Sequence, residues 1–274
     1  MRIHPCLTGT DINAMAIVYD AARDAGASFA EPIFPLAEGV QRWASRDQAE
    51  NAVEIWKGRF QRRIDELGTP VRLWMPDYEL KAEGPEVVRA WMSGTLSIPL
   101  NTARYMQGAA AALHELDSEA VLPDGARLVW YGLPKLDGVA GYTRDQTVFA
   151  SRLIELGAWA VSPSFKIRRR ISDGISYAAQ RARTRVAASQ LIEALGSPEL
   201  VLPEISCTGY GDRGFDAVPA QDIEAAMLGM KDAGCTQCML YGQAENEAVA
   251  RVVAFHVREF AMGAAAAIPK ERIP

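Results

Sequence analysis

The stretch VRLWMPDYE, residues 71–79, governs how the whole chain is read. Apolar residues lead into it as they would into a buried strand, yet it finishes on two carboxylates, Asp77 and Glu79. Alternate side chains of an extended chain share a face, so these two stand side by side. Like charges packed together at the end of a core strand are costly unless they serve a purpose.

Working outward from this strand, short apolar runs alternate with longer stretches of helical periodicity along the chain. Strands are expected at 1–5, 28–34, 71–79, 127–133, 158–164, 199–206 and 235–241. Helices are expected at about 11–25, 46–67, 101–119, 143–156, 176–195, 219–233 and 245–266. Gly26, Gly68, Gly157, Gly196 and Gly234 each follow a helical stretch and precede a strand, where a left-handed helix cap belongs.

Repeated βα units with short links and no low-complexity linker argue for a parallel α/β sheet. No G-x-G-x-x-G and no P-loop follows a strand, which weakens a nucleotide-binding, doubly wound sheet. Instead, polar or acidic residues recur where strands end: Glu31, Asp77, Glu79, Ser162, Ser164, Glu204 and Tyr241. Closing the sheet gathers all of these around one mouth. The expected fold is therefore a distorted (β/α) TIM-type barrel of seven or eight parallel strands, with residues 1–274 forming one domain.

Length and composition agree with that reading. The chain has 274 residues, and a single α/β barrel takes about 250. Hydrophobic residues make up 49% and charged residues 23%, ordinary for a chain that buries a core. The net charge is −5 and no basic block exceeds Arg168, Arg169 and Arg170, so the electrostatic footprint of a nucleic-acid binder is missing. No apolar run reaches the roughly 18 residues of a membrane span, and the N-terminus lacks the charged and apolar regions of a signal peptide. A cytoplasmic protein, or one released without a signal peptide, is expected. The four cysteines, at 6, 207, 235 and 238, are scattered and suit a reducing compartment. Cys235 and Cys238 form a C-x-x-C, but in a strand they point to opposite faces and no second Cys/His pair accompanies them.

Two carboxyls on one strand face in a partly dry mouth cannot both ionise cheaply, so one pKa is expected to rise, and a carboxyl protonated at neutral pH is a general acid; the alternative is a strand that ends in solvent with two ordinary carboxylates. Glycosidic bond cleavage needs such an acid to protonate the leaving oxygen.

Further motifs follow in order. They are Trp130-Tyr131-Gly132-Leu133-Pro134 at the fourth strand, Ser162-Pro163-Ser164 at the fifth and Tyr241-Gly242 at the seventh. Together with the D-x-E they resemble the hyaluronidase family of glycoside hydrolases, whose fold is a distorted seven-stranded (β/α) barrel. The resemblance implies that Glu79 is the acid/base. It further implies that Asp77 orients the substrate's 2-acetamido group, whose carbonyl serves as nucleophile, in retaining hydrolysis of an N-acetylhexosamine-containing glycan with no metal or organic cofactor. Two positions depart from the family's pattern. Phe165 and Lys166 follow Ser164 where the family places a tyrosine, removing an expected acetamido partner, and Tyr241-Gly242 stands for the usual Trp-Gly.

Around the mouth, Tyr131, Tyr241 and Trp130 are candidates for stacking on sugar rings or for barrel packing. Glu204 and Glu31 are either further substrate-binding carboxylates or structural partners. His4 and His256 are expected to be structural, and His114 lies in a polar helical turn. Two other classes fit the same fold. One is a barrel lyase, aldolase or isomerase, for which Lys166 is the candidate Schiff-base lysine; the other is a non-catalytic sugar-binding or structural barrel. The partner is a glycan or another small molecule, not nucleic acid or a membrane, and the sequence carries no signal for an oligomeric state.

Overall fold

The computed structural model describes residues 1–8, 11–27, 29–33, 71–76, 127–133, 142, 144–155, 157–165, 167, 170–208, 216–243 and 247–261. The expected helices at 46–67 and 101–119, and residues 77–79 of the expected third strand, lie outside them. The described residues include seven strands: β1 (Arg2–Thr8), β2 (Phe29–Ile33), β3 (Val71–Pro76), β4 (Arg127–Leu133), β5 (Ala160–Phe165), β6 (Glu204–Ser206) and β7 (Gln237–Gln243). The described helices are α1 (Ile12–Asp24), α2 (Arg144–Glu155), α3 (Tyr177–Leu195), α4 (Ala220–Asp232) and α5 (Glu247–Ala261).

All strand pairs are parallel, and the sheet order is β1-β7-β6-β5-β4-β3-β2. This is the order of a barrel, with the seam between β1 and β2. Those two strands lie in contact, but no backbone ladder joins them among the described residues.

The side chains sort into two cores, and the sorting shows that the sheet curls. One face of the strands, including Ile3, Leu7, Trp130, Val161, Ile205 and Leu240, packs with helix residues such as Val18, Leu153, Leu191, Met227 and Val253. On the other face Cys6, Leu73, Met75, Val129, Ala160, Leu202 and Met239 form a cluster that contains no helical residue among those described. A sheet face that packs on itself must be concave, so helices lie outside and a small second core lies inside.

Local chemistry explains the element ends. Asp11 caps α1, accepting hydrogen bonds from the backbone N–H groups of Asn13 (2.8 Å) and Ala14 (3.3 Å), and Ser176 caps α3 by accepting from Ala179 (3.1 Å). Gly26, Gly157, Gly196 and Gly234 all have positive φ at the expected helix stops. At Gly196, with φ 74°, the N–H turns back to the carbonyl of Ile192, a conformation that costs a side-chain-bearing residue more.

The sixth strand is much shorter than expected. Ser197 and Pro198 start a 3-10 turn over Pro198–Leu200, with the Ser197 side chain accepting from Glu199 N. Pro203 has no N–H to give a ladder, so regular pairing begins only at Glu204. β1 runs to Thr8 instead of ending at residue 5, because its whole length pairs with β7.

Candidate functional site

The inward residues of β5, β6 and β7 form a polar wall. On β5, Ala160 faces the inner core and Val161 the helices, so Ser162 and Ser164 point inward; both are buried. On β6, Ile205 faces the helices, so Glu204 and Ser206 point inward. Ser164 Oγ donates to Glu204 Oε1 at 2.9 Å, and Ser206 Oγ donates to the carbonyl of Thr208 at 3.1 Å. Glu204 is only 2% exposed. Tyr241, half-buried, packs against the inner core from β7.

Register sets the height of each group. Glu204 pairs with Ser164 on one side and Met239 on the other, and Met239 pairs with His4. One inward layer closer to the C-terminal rim, Ser206 pairs with Tyr241, and Tyr241 with Cys6. Among the described residues, the opposite wall contributes Leu73, Met75 and Val129 from β3 and β4 to the inner core.

The expected site residues divide as follows. Glu204 and Tyr241 share the interior, and Ser162 and Ser164 join them. Trp130 does not: it is fully buried in the helix-facing core, since Val129 takes the inward position and alternation turns the next side chain outward. Asp77, Glu79, Lys166 and His114 lie outside the described residues. Glu31 and Tyr131 are described as strand backbone only: Glu31 pairs with Trp74 and Tyr131 with Ser162. His4, read from sequence as structural, occupies an inward strand position in the row of Glu204 and is buried. Ser206 was not singled out in the sequence, although its position two residues after Glu204 on one strand was the available signal.

The cysteines have the character of core residues. Cys235 lies just before β7 and so shares the helix-facing core with Cys238 instead of opposing it. Cys238 Sγ donates to the Met239 carbonyl at 3.5 Å and lies 3.8 Å from Met230 Sδ. Burial pushes the Cys235 thiol up to about 12 and the Cys238 thiol well above its usual value. Reactive or metal-binding cysteines need the reverse. Burial first, and the charge of Glu204 second, also raise the Cys207 thiol. Among the described residues no group of three His, Cys, Asp or Glu is placed to hold a metal ion, and no helix is long and apolar enough to cross a membrane.

No protein-family model and no curated protein matches the sequence. Among solved structures the chain is similar to bee venom hyaluronidase, with 12% identity, a TM-score of 0.54, and coverage of 96% of this chain and 98% of that one. Bee venom hyaluronidase in complex with a hyaluronic acid tetramer matches at 10% identity and TM-score 0.51, over 95% of each chain. A fructose-bisphosphate aldolase from Campylobacter jejuni is more distant, with 14% identity and TM-score 0.44, over 89% of this chain and 71% of that one. At these identities the likeness to bee venom hyaluronidase is one of fold.

Proposed function

We propose that the chain is a retaining glycoside hydrolase acting on an N-acetylhexosamine-containing glycan, with Glu79 as acid/base and Asp77 orienting the 2-acetamido group. The observation that carries this reading is the inward parity of β3. Leu73 and Met75 face the inner core, and in the sequence the D-x-E belongs to the same odd-numbered series, the parity that this reading requires of its two carboxyls. Barrel enzymes hold their reacting groups on that rim. The likeness in fold to bee venom hyaluronidase over nearly the whole chain supports the reading, as does Tyr241 near the C-terminal end of β7, where its ring suits the apolar face of a sugar.

In this mechanism Glu79 gives its proton to the glycosidic oxygen as that oxygen's bond to the anomeric carbon breaks. The acetamido carbonyl oxygen bonds to the anomeric carbon from the opposite face. Water then attacks the same carbon and releases the acetamido group, and Glu79 takes the proton from the water. Two inversions give net retention.

The test is hydrolysis of N-acetylated oligosaccharides (hyaluronan, chondroitin and chitin) and of non-acetylated ones (chitosan and cellulose) by the unmodified protein, Glu79→Gln and Asp77→Asn. Glu79→Gln is expected to lose about 10²–10⁴-fold in rate with its fold intact, and Asp77→Asn to be severely impaired. Equal rates for Glu79→Gln and the unmodified protein rule out the acid role. Indifference to the acetamido group rules out substrate assistance.

A further inference from the structure

Barrel interiors are ordinarily filled by bulky apolar side chains, and a carboxylate placed there is costly unless its surroundings compensate. The interior of this barrel is two-sided. Among the described residues its β3–β4 wall contributes Leu73, Met75 and Val129 to the inner core, whereas its β5–β6 wall carries Ser162, Ser164, Glu204 and Ser206, all buried. Glu204 is held by the Ser164 hydroxyl at 2.9 Å. Ser206 and Tyr241 occupy the next inward layer toward the C-terminal rim, so the carboxylate lies about 7 Å beneath the mouth, the rise of two strand residues. Among the described residues, the other titratable groups at inward strand positions are Arg2, His4 and Cys6 of β1, Arg127 and Tyr131 of β4 and Tyr241 of β7. Cys207, the neighbour on its own chain segment, faces the helices.

We propose that Glu204 is a positioning carboxylate, a buried negative charge that favours a cationic reacting sugar over a neutral one in the mouth above it. The inference rests on the hydrolase reading of that mouth. Cleavage of a glycosidic bond passes through an oxocarbenium-like state, and preorganised charge in a water-poor site stabilises such a state without reorganisation. A unit charge about 7–10 Å away at an effective dielectric near 20 changes the rate by about 10- to 50-fold. The same charge keeps a carboxylic acid in the mouth protonated to higher pH.

The experiment compares the unmodified protein with Glu204→Gln, which keeps shape without charge, and Glu204→Asp, which keeps charge. Hyaluronan and chitin oligosaccharides are the substrates across the full pH profile, and a basic iminosugar and its neutral ring-oxygen counterpart are titrated by calorimetry. Glu204→Gln is expected to lower kcat about tenfold or more with KM little changed, and to move the basic limb of the profile down by about one pH unit; Glu204→Asp is expected to restore the limb. A folded Glu204→Gln with unchanged kcat and profile, and only a lower melting temperature, overturns the proposal and leaves the hydrolase reading standing.

If the unmodified protein hydrolyses no glycan, the hydrolase reading fails and calorimetry decides the inference alone. Iminosugar binding about tenfold weaker in Glu204→Gln, with neutral-sugar binding unchanged, supports the buried charge; equal affinities overturn it. Absence of any preference for the basic iminosugar in the unmodified protein overturns the proposal even if no Glu204 variant folds.

Discussion

His256 is fully buried in α5 beside Phe255 and Phe260, with ring centroids at 5.1 and 6.0 Å, and neither ring nitrogen makes a hydrogen bond of normal geometry. Burial lowers its pKa to about 4, an effect that the nearby backbone of Ala220 opposes only in part. The folded chain therefore keeps the imidazole neutral where the unfolded chain, at its ordinary value near 6.5, takes up a proton. The stabilisation is complete above about pH 6.5 and is lost as pH falls toward 4, by about 3 kcal/mol in all. Urea unfolding across that window is expected to show this slope, and His256→Leu to remove most of it; an unchanged slope would assign acid sensitivity to other groups. The sequence identified His256 as structural from its place in an apolar helix. Trp130 shows where such reasoning stops, because an aromatic at a strand end faces substrate or helices according to a parity that only its packed neighbours reveal.

At the scale of elements, α3 and α4 pack closely because small residues line the contact. α3 buries Gln180, Thr184, Ala187, Ala188 and Leu191, the spacing of one helical face. Opposite Thr184 lies Gly229 of α4, where an added Cβ would overlap both Thr184 Oγ1 and the carbonyl oxygen of Arg181. Thr184 Oγ1 also donates to the Ala226 carbonyl at 2.9 Å, and Arg181 reaches both carboxylate oxygens of Asp232 at the outer edge. Gly229→Ala is expected to cost about 2–3 kcal/mol in chemical denaturation despite the better helix propensity of alanine. Adding Thr184→Ala should recover only part of this, since the clash with the Arg181 backbone remains. A neutral Gly229→Ala would mean that the two helices can separate freely. The expected bounds of α1 to α4 agree with the structure to within about one residue, because caps and glycine stops are local chemistry. The sixth strand was overestimated because its apolar run hides Pro203 and the turn at Pro198–Leu200.

At the scale of the molecule, the barrel order leaves one seam. Among the described residues β2 has a ladder with β3 only, and that register slips between Phe29 and Ala30, whereas β7 has ladders on both sides. Edge strands open locally at lower cost than doubly paired ones. Hydrogen exchange read by mass spectrometry is therefore expected to be faster in β2 than in β7 by about tenfold or more. Equal protection would indicate a backbone ladder closing the seam between β1 and β2.

The sequence by itself determined the parallel α/β alternation, the helix stops at Gly26, Gly157, Gly196 and Gly234, and the placement of Ser164 and Tyr241 toward the C-terminal ends of β5 and β7, whereas Glu204, expected at the end of its strand, is the first residue of β6. These follow from periodicity and backbone conformation, which are local. Only the tertiary structure decided which strand face is concave, and with it that Glu204 and Tyr241 share the interior while Trp130 packs under helices. It also decided that Cys235 and Cys238 lie in one core and that Ser164 holds Glu204. Those outcomes depend on sheet curvature and on register between strands far apart in the chain, and a residue's own neighbours in sequence carry no record of either.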